Sequence, residues 1–60
     1  MYVVEVVSSA LVVQRAYRSL EYDYALNMFD IHKKKKWREI RLVRIVNGVK
    51  VTLKFVDKSR

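Results

Sequence analysis

Hydrophobic and polar positions alternate most clearly in the last third of the chain, where two β-branched runs flank Asn47-Gly48. Asn-Gly is the preferred pair for a two-residue type I′ hairpin, because both loop positions need positive φ. With Asn47 and Gly48 as the loop, Val46 faces Val49, Arg44 faces Val51, Leu42 faces Leu53 and Ile40 faces Phe55. A period of two gathers these large aliphatics on one side of the ribbon, the predicted core face. The other side pairs Ile45 with Lys50, Val43 with Thr52 and Arg41 with Lys54, with Val56 beyond them, and is basic and half apolar. Arg44 falls on the core face, where its long stem is expected to snorkel past the helix end to the rim.

The first third repeats the pattern. Tyr2-Val3-Val4-Glu5-Val6-Val7 and Leu11-Val12-Val13-Gln14-Arg15-Ala16-Tyr17 are rich in strand-favouring residues, and Ser8-Ser9-Ala10 interrupts them. Taking Ser9 and Ala10 as the loop aligns Val6 with Val13 and Tyr2 with Tyr17 on one face, and Glu5 with Gln14 on the other. No glycine sits at this turn, which leaves the register free to slip by one residue. Arg15, between Val13 and Tyr17, is placed like Arg44. The two arginines are candidates to pair with Glu5 and Glu39 or to flank a shared acidic ligand.

Between the ribbons the period changes. Asp23, Asn27, Asp30 and Lys34 recur at spacings of four, three and four, while Tyr22, Ala25, Leu26, Met28, Phe29 and His32 fall on the opposite side. Ser19 is the predicted N-cap, Glu21 suits the first turn, and the four lysines close the last turn, where the helix dipole favours cations. The helix is expected to run about 15 residues. Tyr17, Tyr22 and Tyr24 cluster around its entry, where amphipathic rings seal a core edge.

These elements predict a single α+β domain over residues 1–60, in the order ββαββ, with a four-stranded antiparallel sheet and one helix packed on one face. The all-antiparallel order 2-1-3-4 is preferred. The order 1-2-3-4, with a parallel pair and a right-handed crossover, also satisfies the pattern. The final Asp57-Lys58-Ser59-Arg60 reads as a frayed tail.

Composition narrows the class. A domain of this length buries only about 60% of the surface its unfolded chain exposes, so its stability margin is thin. There is no cysteine for a disulfide or thiolate zinc site, and His32 is the only imidazole, which leaves self-association as a source of support. An apolar fraction of 52% argues against disorder. The apolar runs are far shorter than the ~20 residues of a membrane-spanning helix. The first residues lack the basic leader of a signal peptide, so a cytoplasmic location is expected. Thirteen Lys and Arg against six Asp and Glu give a net charge of +7 and a field that attracts anionic partners.

Candidate chemistry is of the binding kind. In His32-Lys33-Lys34-Lys35-Lys36-Trp37-Arg38, clustered cations beside an aromatic ring suit phosphates and a stacked base or sugar. The plainer reading has the lysines finishing a helix in solvent and Trp37 opening the third strand over the core edge. The outer sheet face offers a second surface. There Arg41, Lys50 and Lys54 alternate with Val43, Ile45 and Thr52, a basic rim around apolar positions that fits a dimer or protein interface. For catalysis the inventory is thin: His32 has no fixed partner, the serines lie in Ser8-Ser9, Ser19 and the tail, and no carboxylate pair is arranged. No enzyme, cofactor, metal or small-molecule substrate is expected.

In overall pattern the chain resembles the short accessory proteins of tailed bacteriophages. The resemblance rests on the leading strand Tyr2 to Val7, the alanine-centred helix around Tyr24-Ala25-Leu26, and the closing Trp37-Arg38-Glu39-Ile40-Arg41-Leu42-Val43-Arg44 segment. It implies a viral protein that binds and modulates a host macromolecule, and it carries over no residue's role. Two functions follow as expectations. The first is a small basic non-enzymatic module that binds a host or viral protein, as a homodimer, through Val43, Ile45 and Thr52 or a strand edge. The alternative is a nucleic-acid binder using Lys33, Lys34, Lys35, Lys36, Trp37, Arg38, Arg41, Lys50 and Lys54.

Overall fold

The computed structural model describes residues 1–58. Strands β1 (Tyr2–Val7) and β2 (Val13–Ser19), helix α1 (Tyr22–Lys33), and strands β3 (Glu39–Val46) and β4 (Val49–Asp57) follow in the order ββαββ. The sheet has the order β2-β1-β3-β4, and all its pairings are antiparallel. This is the predicted α+β fold.

The two hairpins carry out their registers differently. At Asn47 and Gly48 φ is 51° and 77°, the doubly positive pair of a type I′ turn, and Val46, Ile45, Arg44 and Val43 face Val49, Lys50, Val51 and Thr52 as predicted. A bulge at Leu53 then inserts one residue, so Leu42 faces Lys54, Arg41 faces Phe55 and Ile40 faces Val56. A one-residue insertion swaps the two faces of the strand beyond it. The expected Leu42–Leu53, Ile40–Phe55 and Arg41–Lys54 pairs are therefore overturned. Lys54 moves to the helix side, Phe55 to the outer face and Val56 into contact with the core.

The first turn is wider than expected. Leu11 takes φ 63°, which no strand residue can adopt, so β2 begins at Val13 rather than Leu11. The backbone N–H of Leu11 donates to the Ser8 carbonyl at 2.9 Å, and that of Ser8 to the Val12 carbonyl at 3.0 Å, while the Ser8 hydroxyl accepts from the Val12 N–H at 3.3 Å. Pairing consequently slips. Val6 faces Gln14, Glu5 faces Arg15 and Tyr2 faces Ser19, in place of the predicted Val6–Val13, Glu5–Gln14 and Tyr2–Tyr17 pairs. A bulge at Ala16 restores Tyr17 to the helix side opposite Val4.

Helix α1 is shorter than predicted. Its N-cap is Glu21 instead of Ser19, with no side-chain cap, and its C-cap is Lys34. The Ser19 hydroxyl instead accepts from the Glu21 N–H at 3.0 Å and shapes the turn that leads in. Of the lysine run only Lys33 is helical; Trp37 lies in the connector, and β3 starts at Glu39. Ala25, Phe29 and His32 are buried, and Asp23, Asn27, Asp30 and Lys34 are exposed, as the helical period requires. Tyr24 turns to solvent, while Tyr2 and Tyr22 meet edge to face at 5.4 Å.

The core joins Val4 and Val6 of β1 and Ile40 and Leu42 of β3 to Ala25 and Phe29, with Leu26, Met28, Tyr17 and Trp37 packed around it. Fully burying each large aliphatic or aromatic among them stabilises by about 1.5–3 kcal/mol. The helix packs on β1, β2 and β3. Every residue of β4 except Val56 is exposed, so the predicted core positions Val46, Val49, Val51 and Leu53 lie beyond the shelter of the helix.

Candidate binding surfaces

The residues singled out as one cationic surface separate into three places. On the outer sheet face, strand alternation puts Val3, Glu5 and Val7 beside Arg41, Val43 and Ile45, with Arg15 opposite Glu5. Here Lys50 Nζ donates to Glu5 Oε2 at 2.9 Å, and the Arg41 guanidinium reaches Glu39 at 3.7 Å and lies 5.9 Å from the centre of the Phe55 ring. Val43 was expected to be bare and is only 2% exposed. The diagonal from Lys50 to Glu5 runs over it, so the lysine stem covers the valine as the ammonium meets the carboxylate. Of the predicted interface trio, Ile45 is half-buried and Thr52 exposed. Arg15 lies on this face rather than on the core side. Arg44, on the helix side, follows its prediction: it is exposed at the rim, its guanidinium 6.0 Å from the Tyr2 ring centre.

The second place is the open edge of the sheet. β4 pairs only with β3, so its outer row of backbone N–H and C=O groups has no strand beside it. Val49, Val51, Leu53 and Phe55 are exposed along it by 61%, 50%, 42% and 50%. Lys54 stands on the same strand, on the helix side. Long exposed apolar edges are rare in monomers, because they template pairing with another strand.

The third place is the end of the molecule where α1 stops. The Arg38 N–H donates to the Val7 carbonyl at 2.8 Å, and the Lys58 N–H to the Arg38 carbonyl at 2.7 Å, which carries the sheet ladder one step past β3. Lys58 turns back under the helix. Its ammonium donates to the Lys33 carbonyl and, at 2.8 Å, to the Lys35 carbonyl, capping the negative end of the helix. Asp57 and Lys58, expected in a frayed tail, are thus a strand end and a staple; Ser59 and Arg60 lie outside the described residues. Lys36, Trp37, Arg38, Lys58 and Ser9 line an open pocket of about 410 Å³. Lys33 pairs with Asp30 at 3.4 Å, while Lys34 and Lys35 stand exposed beside the pocket without lining it. Trp37 follows the plainer reading, packing on the core edge in the connector, and its buried Nε1–H has no hydrogen-bond partner among the described residues. Ser9 and Lys58 were missed as site residues. The ladder that returns Lys58 to this end carries no local sequence signal.

His32 is buried, and its Nδ1–H donates to the Met28 carbonyl at 2.8 Å, within the helix. It serves packing. Among the described residues no group of three or more His, Cys, Asp or Glu is placed to hold a metal, and no helix is long and apolar enough to cross a membrane. No protein-family model, curated protein or solved structure matches the chain.

Proposed function

We propose that this chain is a small basic binding module, without catalytic function, that engages a protein partner along the open edge of β4. One observation carries the reading: the nine-residue strand leaves its outer backbone row unpaired while exposing Val49, Val51, Leu53 and Phe55. Adding a strand there satisfies the backbone groups and buries apolar surface in one step. The resemblance to phage accessory proteins points the same way, to a host or viral partner. The partner strand belongs either to another protein or to a second copy. Light scattering with mass determination, followed by affinity capture from host lysate, separates these cases for the wild type and for the double variant Val51→Lys, Phe55→Lys. Self-association, or capture of a specific protein, is expected of the wild type and lost in the variant. A wild type that stays monomeric at high concentration and captures the same proteins as the variant overturns the proposal.

A second reading, nucleic-acid binding, is favoured by a different observation. Lys33, Lys34, Lys35, Lys36, Arg38 and Lys58 converge where α1 ends, and Asp30 offsets only Lys33. Counter-ion release makes such binding steeply salt-dependent. Titrating a single-stranded oligonucleotide at several salt concentrations tests it. Affinity that falls as salt rises, and falls further in Lys34→Glu with Lys35→Glu, supports it; no binding at low salt removes it.

A further inference from the structure

The pocket beneath the lysine run has a chemistry more specific than a charged surface. It is lined by Ser9, Lys36, Trp37, Arg38 and Lys58, so three cationic residues, a serine and a tryptophan meet there, and no Asp or Glu lines it. Of the carboxylates at this end of the sheet, Glu39 meets Arg41. The Lys58 ammonium is committed to the Lys33 and Lys35 carbonyls, which holds its positive charge where the helix ends. The Trp37 indole N–H is enclosed and has no acceptor among the described residues. A buried donor left unpaired is costly, and in a native fold such a group calls for an acceptor, an ion or an ordered water among them.

We infer that this pocket is an oxyanion site for a phosphate group, with Arg38 and Lys36 supplying charge and the Trp37 Nε1–H the directional hydrogen bond. Phosphate suits the lining because it has several acceptor oxygens for donors that converge from different sides, and a guanidinium meets it with two parallel bonds. Lys36 and Arg38 are long and exposed, so they are free to turn onto an entering anion, and binding requires the enclosed indole edge to open toward it. The phosphate is either a free ion or one unit of a polynucleotide backbone. In the second case the inference deepens the nucleic-acid reading and rests on it.

Trp37 is the only tryptophan, so its indole gives a single signal in a ¹H–¹⁵N spectrum of the labelled full chain. Inorganic phosphate is titrated in, with sodium chloride at matched ionic strength as the comparison, and a single-stranded oligonucleotide is titrated separately. A saturable shift of the indole signal with phosphate and not with chloride is expected. Arg38→Gln and Lys36→Gln should each weaken it by about tenfold, the value of one lost charge-assisted hydrogen bond. Lys34→Gln, outside the pocket, should leave it unchanged. The remaining amide signals report whether each variant is folded, and either of the two pocket variants suffices. An indole that ignores phosphate, or answers chloride equally, overturns the inference. An oligonucleotide that binds while the indole answers neither it nor phosphate also overturns the inference, and the nucleic-acid reading then survives on the exposed lysines. Phosphate binding without oligonucleotide binding supports the pocket, assigns it to the free ion and removes the nucleic-acid reading.

Discussion

Lys50 on the edge strand β4 and Glu5 on the central strand β1 meet across β3, with Nζ and Oε2 2.9 Å apart. Their environments differ: the Glu5 side chain is 10% exposed and that of Lys50 56%. Solvent screens the lysine side of the pair, so its worth is that of a partly exposed bridge, about 1 kcal/mol. A double-mutant cycle with Glu5→Gln and Lys50→Met should return a coupling of that size, diminishing with added salt. Lys50→Met keeps the stem over Val43, whereas Lys50→Ala also bares the valine and should cost more. Denaturant unfolding of the set measures each term. Zero coupling at low salt means that the pair adds nothing to stability.

Leu11 offers a stabilising change. Its φ of 63° is left-handed, a conformation that costs a non-glycine residue roughly 1–2 kcal/mol, and its side chain is largely exposed, so little burial is at stake. Asparagine tolerates that region better without adding glycine's freedom to the unfolded chain. Leu11→Asn should therefore raise stability by about 0.5–1 kcal/mol, and Tm by several degrees in a domain this small. A fall in Tm on calorimetric scanning contradicts the turn geometry.

The same residue shows where the sequence could be read and where it could not. Asn47-Gly48 declares its turn because both residues tolerate positive φ, and the pairing next to it followed. Leu11 declares nothing: a β-branched or leucine-rich run reads as strand, and only the closed Ser8–Val12 loop shows that one leucine has left it. The bulges at Ala16 and Leu53 were equally silent. A bulge is an extra residue with no composition of its own, yet it reverses the faces of everything beyond it. That is why Phe55 and Lys54 exchanged places, and why Val56 rather than Phe55 packs against the core. The order β2-β1-β3-β4 is the preferred one of the two that two hairpins and one helix allow; the sequence pattern alone did not choose it over 1-2-3-4. The pocket was half legible: Lys36, Trp37 and Arg38 are neighbours in sequence, while Ser9 and Lys58 reach them only through the tertiary ladder at Val7 and Arg38.

Phe29 is the largest buried side chain that α1 gives to the core, and it lies against Val4, Val6, Ile40 and Leu42. Phe29→Ala removes the ring and leaves a cavity, a change that typically costs about 3–5 kcal/mol. Stability of roughly 0.05–0.15 kcal/mol per residue leaves a domain of this length little beyond that. The variant should be largely unfolded at 37 °C by circular dichroism. Phe55→Ala, on exposed β4, should by contrast move Tm by only a few degrees. Similar losses in both would mean that β4 is covered in solution, which is the expectation if a partner strand or a second copy occupies that edge.

Lys58 ties the chain's last described segment to the end of the helix, its ammonium bridging the Lys33 and Lys35 carbonyls. The Lys33 carbonyl is among the groups a helix leaves without intrahelical donors, and a cation there also answers the helix dipole. Lys58→Met keeps the stem and removes the donors, so the last turn of α1 should fray before the sheet does. Hydrogen exchange should quicken at the Lys34 and Lys35 amides, which donate to the Ile31 and His32 carbonyls, and stay unchanged at the β1–β3 ladder. The expected global loss is about 1 kcal/mol, because both carbonyls reach water once freed. Uniform acceleration across helix and sheet would show instead that Lys58 supports the whole fold, since the Lys58 N–H is also the final rung on Arg38.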